Sequence, residues 1–443
     1  MSLASRCTFF LVACCFSGSN LAAQELQAGA AKIDITPPIG YAMWGYGARH
    51  DAPSVGVLDP LYARALVLIA GKERIALVGL DLGRAPMRQS TAAIRARVKA
   101  EAGVEHLFLV GSHTHHGPVI ELDNWPVRKR GQDPDQGQPY VRELEDKLAK
   151  VIIDAAKAAR PARIGVAAKD VPFNRNRHSK RPDKLVDPEL LVLRVDDKDG
   201  KPIAHAVNFA AHPTMHPAQV LKFSADYPGA MAKLMEQETG VPCLFLQGAA
   251  GDLSANSPPG VKGPDQFGQT LGKEVLAMSK AIRCRPLDSP KLLVREDDFR
   301  FGMRIDLKNP LVRGALVLAF FEDLVAAFER EYRDGVRPHL TTALLDDRIA
   351  FVGVSGEFFC GHALSLKRRA RLEHVFFLGY CNDYHQYFPT IEGAAEGGYG
   401  ADPGVSAAEV GAGERMIDRA LLQLYAMRGK RPNLPKERLG GMP

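Results

Sequence analysis

His106-Leu107-Phe108-Leu109-Val110-Gly111-Ser112-His113-Thr114-His115-His116-Gly117-Pro118 decides how this chain is read. Leu107 to Val110 is an apolar run of the kind a buried strand requires, and Gly111, Gly117 and Pro118 punctuate the polar residues after it. His113 and His115 stand two residues apart at the mouth of that strand. Side-chain direction along an extended chain repeats every two residues, so both imidazoles project the same way. Neutral imidazole is the commonest metal ligand. The pair therefore points to a metal or catalytic centre at a strand end, with two hydrogen-bonded structural histidines as the alternative it leaves open.

Outward from this stretch, short β-branched or aromatic runs alternate with helical patterns, which predicts an α/β fold of mixed sheets flanked by helices. The expected strands are 62–69, 74–81, 106–111, 203–210, 243–247, 348–354 and 374–379; the expected helices are 90–102, 140–159, 227–239, 268–282, 314–332 and 407–428. Within 314–332, Val317 to Phe321 with Leu324, Phe328 and Tyr332 reads as one apolar helix face belonging to the core. The segments 121–139 and 172–187 are long, polar loops of the sort that serve as lids or binding loops.

Polar clusters trail these strands. Asp81 closes the second, His212 follows 203–210, Gly251-Asp252-Leu253-Ser254 follows 243–247, Glu357 follows 348–354, and Tyr387 lies beyond 374–379. Ligands of α/β sheets bind at the carboxyl ends of strands, so this placement predicts one shared site. His212 is preferred to His216 because it lies nearer its strand, and the two prolines, Pro213 and Pro217, argue against one helix carrying both. A carboxylate such as Glu357 between a strand and aromatics must be paired or metal-bound if buried. Asn174-Arg175-Asn176-Arg177 suits an oxyanion, or is a solvated basic loop. The glycine-rich turn 248–256 carries Ser254 but has neither a nucleophile-elbow nor a phosphate-loop pattern.

The composition, 46% hydrophobic and 24% charged over 443 residues, is that of a folded protein. The formal charge of +6 is spread over scattered Lys/Arg clusters without interleaved aromatics, which read as solvated surface rather than as a nucleic-acid face, so no nucleic-acid partner is expected. Residues 1–23 read as an export signal, with Arg6, the apolar run 8–13 and a small-residue site around Ala22-Ala23. Leu11-Val12-Ala13-Cys14 also matches a lipoprotein processing site, which would anchor the protein through Cys14. The expected organisation is a signal at 1–23, one catalytic domain over 24–428 and a flexible basic tail over 429–443. Cys243, Cys284, Cys360 and Cys381 form no Cys-x-x-Cys pair, and read as buried thiols or two disulfides.

Together these stretches resemble the neutral/alkaline ceramidase family of zinc-dependent amide hydrolases. Gly111 to Pro118 is similar to the family's G-T-H-T-H-S-G-P, with His116 in place of serine. Ala31 to Pro37, Met43-Trp44-Gly45-Tyr46, Gly251 to Asn256, Ser355-Gly356-Glu357-Phe358 and Cys381 to Thr390 resemble further family motifs in the same order, over roughly residues 29 to 428. The resemblance implies one zinc ion held by His113, His212, Glu357 and Tyr387. It implies His115 and Ser254 as catalytic groups and Arg175 and Tyr399 as holders of the substrate carbonyl. The departures are Ala255 for proline, His212-Pro213-Thr214 for His-Gly-Thr, and the glycine-rich surroundings of Tyr399. The C-terminal β-sandwich of ceramidases proper is not expected, so the metal site carries over and the ceramide substrate does not.

The expected function is therefore an exported, zinc-dependent hydrolase of an N-acylated, lipid-like amide, with peripheral membrane association left open. The alternatives are a zinc amidase or esterase on another substrate, and an exported binding protein on the same scaffold. An amidohydrolase barrel usually carries its His-x-His on the first strand, whereas two strands precede it here. A metallophosphoesterase needs an Asp-x-His start that is missing.

Overall fold

The computed structural model describes residues 25–121, 140–287 and 290–430. The expected signal, nearly all of the loop 121–139 and the tail beyond 430 lie outside the described residues. Eight strands form one mixed sheet: β1 (Gln27–Asp34), β2 (Tyr62–Ala70), β3 (Glu73–Leu80), β4 (His106–Gly111), β5 (Arg160–Asp170), β6 (Glu189–Asp197), β7 (Pro202–Phe209) and β8 (Cys243–Gln247), in the spatial order β8-β7-β6-β5-β1-β2-β3-β4. The outermost pairs, β3 with β4 and β7 with β8, are parallel, and the inner pairs are antiparallel.

The sheet is a topological duplicate. Each half runs through three antiparallel strands, then a helix, then a fourth strand parallel to the third. The helix is α1 (Arg88–Ala102) in the first half and α3 (Asp226–Thr239) in the second. The halves meet where β1 pairs with β5 through Gln27↔Pro161 and Ala28↔Arg160. The sheet curls until Gly79 of β3 lies on the backbone of Phe245 in β8; a Cβ at Gly79 would come within 2.8 Å of the Phe245 carbonyl oxygen. Glycine permits that approach, and it brings the strand ends of the two halves together.

A second sheet, β9 (Leu292–Asp298), β10 (His339–Leu345), β11 (Ile349–Val354) and β12 (His374–Leu378), stacks on the inner face of the first. Leu66, Leu77 and Phe108 from one sheet and Leu345, Phe351 and Phe376 from the other share the intervening core. On the outer face of the large sheet, α1 and α2 (Tyr140–Lys157) cover the first half, while α3 and α4 (Gly263–Ala281) cover the second. The helices α7 (Cys360–Ala370) and α8 (Ala412–Met427) cover the small sheet. The result is a four-layer α/β/β/α sandwich, as expected. Each fully buried large apolar side chain contributes roughly 1.5–3 kcal/mol to this stacking.

The expected strands all form, within a residue or two at each end. The strands β1, β5, β6, β9 and β10 were not expected. The β5 sequence holds Pro161, Gly165 and several alanines, poor strand formers by themselves, and is held extended by its register with β6. The helix expected over 314–332 is two helices, α5 (Pro310–Ala319) and α6 (Glu322–Glu331), broken at Phe320-Phe321. The four cysteines beyond the expected signal are free thiols. No helix among the described residues is long and apolar enough to cross a membrane.

His205, fully buried on β7, bonds the Ser279 hydroxyl through Nε2 at 2.8 Å and leaves Nδ1 without a partner. Burial, helped by Arg194 and opposed by Asp196, lowers its pKa to about 4. The unfolded chain, with histidine near 6.5, therefore binds the extra proton first as pH falls. Stability should be intact above about pH 6.5 and decline toward the folded pKa of about 4. Between pH 7 and 5 the expected loss is about 2 kcal/mol. Denaturant melts of His205→Asn should lack that component; an unchanged pH slope would contradict it.

Candidate metal centre

Three strand ends and two turns converge on one buried point. At the end of β4, Gly111 allows the chain to pass Arg84, whose backbone carbon would lie 2.8 Å from an added Cβ. His113 then takes a left-handed conformation, φ 70°. Such a conformation costs a non-glycine residue of order 1–3 kcal/mol and collects at functional sites. Tyr380, Asn382 and Gln386 on the facing turn share it.

The His113 ring is fixed on both sides. Its Nδ1 lies 2.8 Å from the Gly83 carbonyl, and Trp44 and Tyr380 pack against it at centroid distances of 5.1 and 4.2 Å. His212, beyond β7, sets its own Nδ1 2.6 Å from the Ala250 carbonyl. A carbonyl only accepts, so both rings carry their proton on Nδ1 and turn the Nε2 lone pair inward. Those two Nε2 atoms are 2.9 Å apart. Glu357, 2% exposed, adds Oε2 at 3.2 Å from His113 and 3.1 Å from His212. Two lone pairs and a carboxylate turned on one another in a dry pocket repel unless a cation lies among them.

His115 brings its Nε2 to 3.3 Å from that of His113, with its buried Nδ1 unpartnered. His113, His115 and His212 form a buried group able to hold a metal ion. Burial, then the neighbouring imidazoles, push the His115 pKa well down; burial, then Arg177 and His113, lower that of His212 to about 3. Burial opposes ionisation of Glu357, but His113 and His212, when protonated, outweigh it and hold its pKa well below the usual carboxylate range. A cation in place of those protons would leave inward Nε2 atoms and a carboxylate, the donor forms that a metal needs. Tyr384 and Tyr380 donate to the Glu357 carboxylate, the latter at 3.5 Å.

Tyr387 lies on the turn beyond β12, its hydroxyl 3.4 Å from His212 Nε2, and the short strand it shares with Phe388 pairs in parallel with Glu357-Phe358. Ser254 is partly exposed on the strand Leu253–Ala255, which pairs with Asn174–Asn176 and bridges to His212. Tyr399, 66% exposed, stands edge-on to Tyr387 at 5.6 Å. The eight residues expected from sequence therefore gather in one region. Asp81, which also closes a strand, instead bonds Arg64 at 2.8 Å and the Tyr62 amide. His216 lies apart from the centre, its ring 5.3 Å from that of His116.

The family model for neutral/alkaline non-lysosomal ceramidase, N-terminal, matches residues 26–265, more than half of the chain. The chain belongs to this ceramidase family. Its fold is similar to a neutral ceramidase from Pseudomonas aeruginosa, with a TM-score of 0.73 at 19% identity over 92% of this chain and 75% of that one. It is also similar to a structure described as a ceramidase complexed with C2, with a TM-score of 0.75 at 19% identity over 95% and 77% of the two chains.

In this ceramidase-family chain the arginine that reaches the histidines is one that sequence reasoning did not select. Arg177 Nη2 lies 2.8 Å from His212 Nε2, 3.0 Å from the Tyr387 hydroxyl and 3.1 Å from the Gly251 carbonyl. Arg175 bonds the Ser254 hydroxyl through Nε at 3.4 Å. The alternation was the available signal: Asn174 and Asn176 are buried, so Arg175 and Arg177 share the other face. Arg49 was also missed. It is buried and donates to the carbonyls of His115 (2.5 Å), Trp44 and Ala218, tying three loops around the centre.

Proposed function

We propose that this protein is an exported, zinc-dependent hydrolase that cleaves the amide bond of an N-acylated, lipid-like substrate. One observation carries the reading: two inward Nε2 lone pairs and a carboxylate oxygen within 3.2 Å of one another, beside a tyrosine hydroxyl. A nitrogen and oxygen donor set of this kind suits zinc. His113, His212, Glu357 and Tyr387 would hold the ion. When bound, zinc supplies a Lewis acid and an acidified water.

The chain's own groups supply the rest. Arg177 directs a fixed positive charge at the place where an amide oxygen gains negative charge, with the Tyr399 hydroxyl at the rim. His115, neutral and with a free Nδ1, holds or moves a proton on the cavity side. Ser254 presents its hydroxyl beside Arg175 on the strand bridged to His212, where it attacks the carbonyl or orients the water that does. Trp44, Tyr46 and Tyr384 wall the centre from bulk water, which strengthens each of these charges.

A second ligand set has its own support, because His115 Nε2 is also close to His113 Nε2. Elemental analysis of the purified protein, combined with a panel of N-acyl sphingosines and N-acyl amino acids, tests the proposal. One zinc per chain and turnover of an amide are expected, with His115→Ala keeping the metal while losing turnover. Loss of the metal in His115→Ala would favour the three-histidine set. Full turnover without any metal would sink the proposal.

A further inference from the structure

The turn beyond β12 places Tyr384 and Tyr387 at the metal centre, while Asp383 and His385 on the same turn have no part there. Both are buried, at 1% and 0% exposure. Asp383 Oδ1 accepts from Arg84 at 3.2 Å and from the Tyr384 amide at 2.8 Å. Its Oδ2 has no hydrogen-bond partner among the described residues, and neither has either ring nitrogen of His385. The His385 Nε2 nevertheless lies 3.3 Å from that Oδ2. Glu331, at the end of α6, reaches the same place: one ligand atom from each of Glu331, Asp383 and His385 lies within 4.8 Å of the others. The next residue, Tyr332, packs on the His385 ring at a centroid distance of 5.8 Å.

Leaving a buried polar atom unpartnered is costly, and three such atoms on two neighbouring side chains call for an occupant. Charge points to a cation. Arg84 is shared by Glu121 and Asp383, and Arg88 by Asp298 and Asp383, so with Glu331 four carboxylates face two guanidiniums. A divalent ion balances that surplus. One imidazole and two carboxylates are a nitrogen and oxygen donor set suited to Mn2+ or Zn2+. Donors about 2.1 Å from one ion stand up to about 4.2 Å apart, so the three side chains need rotate only slightly to share it. A cleft lined by Arg88, Asp298 and His339 leads to Asp383, with Asp298 exposed at its mouth. We propose that Glu331, Asp383 and His385 hold a second divalent metal ion, which ties α6 to the turn that carries Tyr384 and Tyr387. The flanking guanidiniums oppose a cation, so this site is weaker than the first and fills only at an excess of added metal.

Mn2+ serves as the probe, its uptake counted by loss of the electron paramagnetic resonance signal of the free ion. The full-length protein, loaded with one equivalent of zinc, should take up one Mn2+ per chain. His113→Ala should take up Mn2+ with the same affinity, because the two sites share no ligand. Glu331→Gln and His385→Gln should each weaken the uptake tenfold or more. Glu331 is the least buried of the three ligands, so its variant tests the site even if His385→Gln fails to fold. No uptake by the zinc-loaded protein, or uptake that Glu331→Gln leaves undiminished, overturns the site. Loss of the uptake in His113→Ala with retention in Glu331→Gln overturns it as well, since the Mn2+ then sits at the first centre.

Discussion

His113→Ala should bring metal content close to zero and hydrolysis down to background. His113 is the donor that the surrounding structure controls most closely. Its amide bonds the Leu82 carbonyl at 3.0 Å, its Nδ1 approaches Gly83, and two aromatic rings hold the imidazole. The strained φ is maintained only because these contacts together specify it. Removing the ring leaves the Glu357 carboxylate with His212 alone on that side, and an incompletely paired buried charge is costly. The metal-dependent rise in thermal stability that a bound ligand confers on the folded protein should vanish with it. Melting curves with and without added zinc, elemental analysis and amide turnover read the three consequences. A variant that still binds one zinc per chain and turns over normally would remove His113 from the centre.

Arg177→Ala should lower kcat by about two to three orders of magnitude, the usual cost of losing one preorganised donor to a developing oxyanion, with KM changed far less. Arg175→Ala should cost less than about tenfold by the same comparison. The contrast comes from position. Arg175 lies on the short strand and Arg177 just beyond it, and only the Arg177 guanidinium is placed between His212, Tyr387 and Gly251. Arg177→Lys should not rescue activity, because an ammonium cannot reproduce the guanidinium's planar fork of donors. Steady-state kinetics on all three variants decide the matter. Equal losses in Arg175→Ala and Arg177→Ala, or a larger loss in Arg175→Ala, would contradict the assignment.

The legible part of the fold was the part specified locally. Runs such as Leu107–Val110 and Cys243–Gln247 are apolar and closed by glycine, so β4 and β8 could be read to within a residue. His113, His212, Glu357 and Tyr387 were legible as site candidates because each lies beyond such a strand, but so does Asp81, and it was the family resemblance that implied those four as the ligands. The strand β5 was not, because its extended form comes from pairing with β6 rather than from its own residues. The break in the helix expected over 314–332 was not legible either. A stripe of Leu, Phe and Tyr at helical spacing looks the same whether it faces a core or a cavity, and only the break at Phe320-Phe321 separates the two.

By itself, the sequence determined a mixed α/β protein with histidines and a carboxylate at strand ends, and its ordered motifs pointed to the ceramidase family. Those properties depend on residue type and short-range spacing. The tertiary structure decided which of them meet. The curl that rests Gly79 on Phe245 brings the two halves of the sheet together, and His113 and His212, ninety-nine residues apart, end with their lone pairs 2.9 Å from each other. It decided equally that Arg177 rather than Arg175 faces them, and that the apolar stripe expected as one core face is split, with Tyr332 in the core and Phe320 and Phe321 lining a pocket. Each of these rests on contacts between distant segments, which no local pattern encodes.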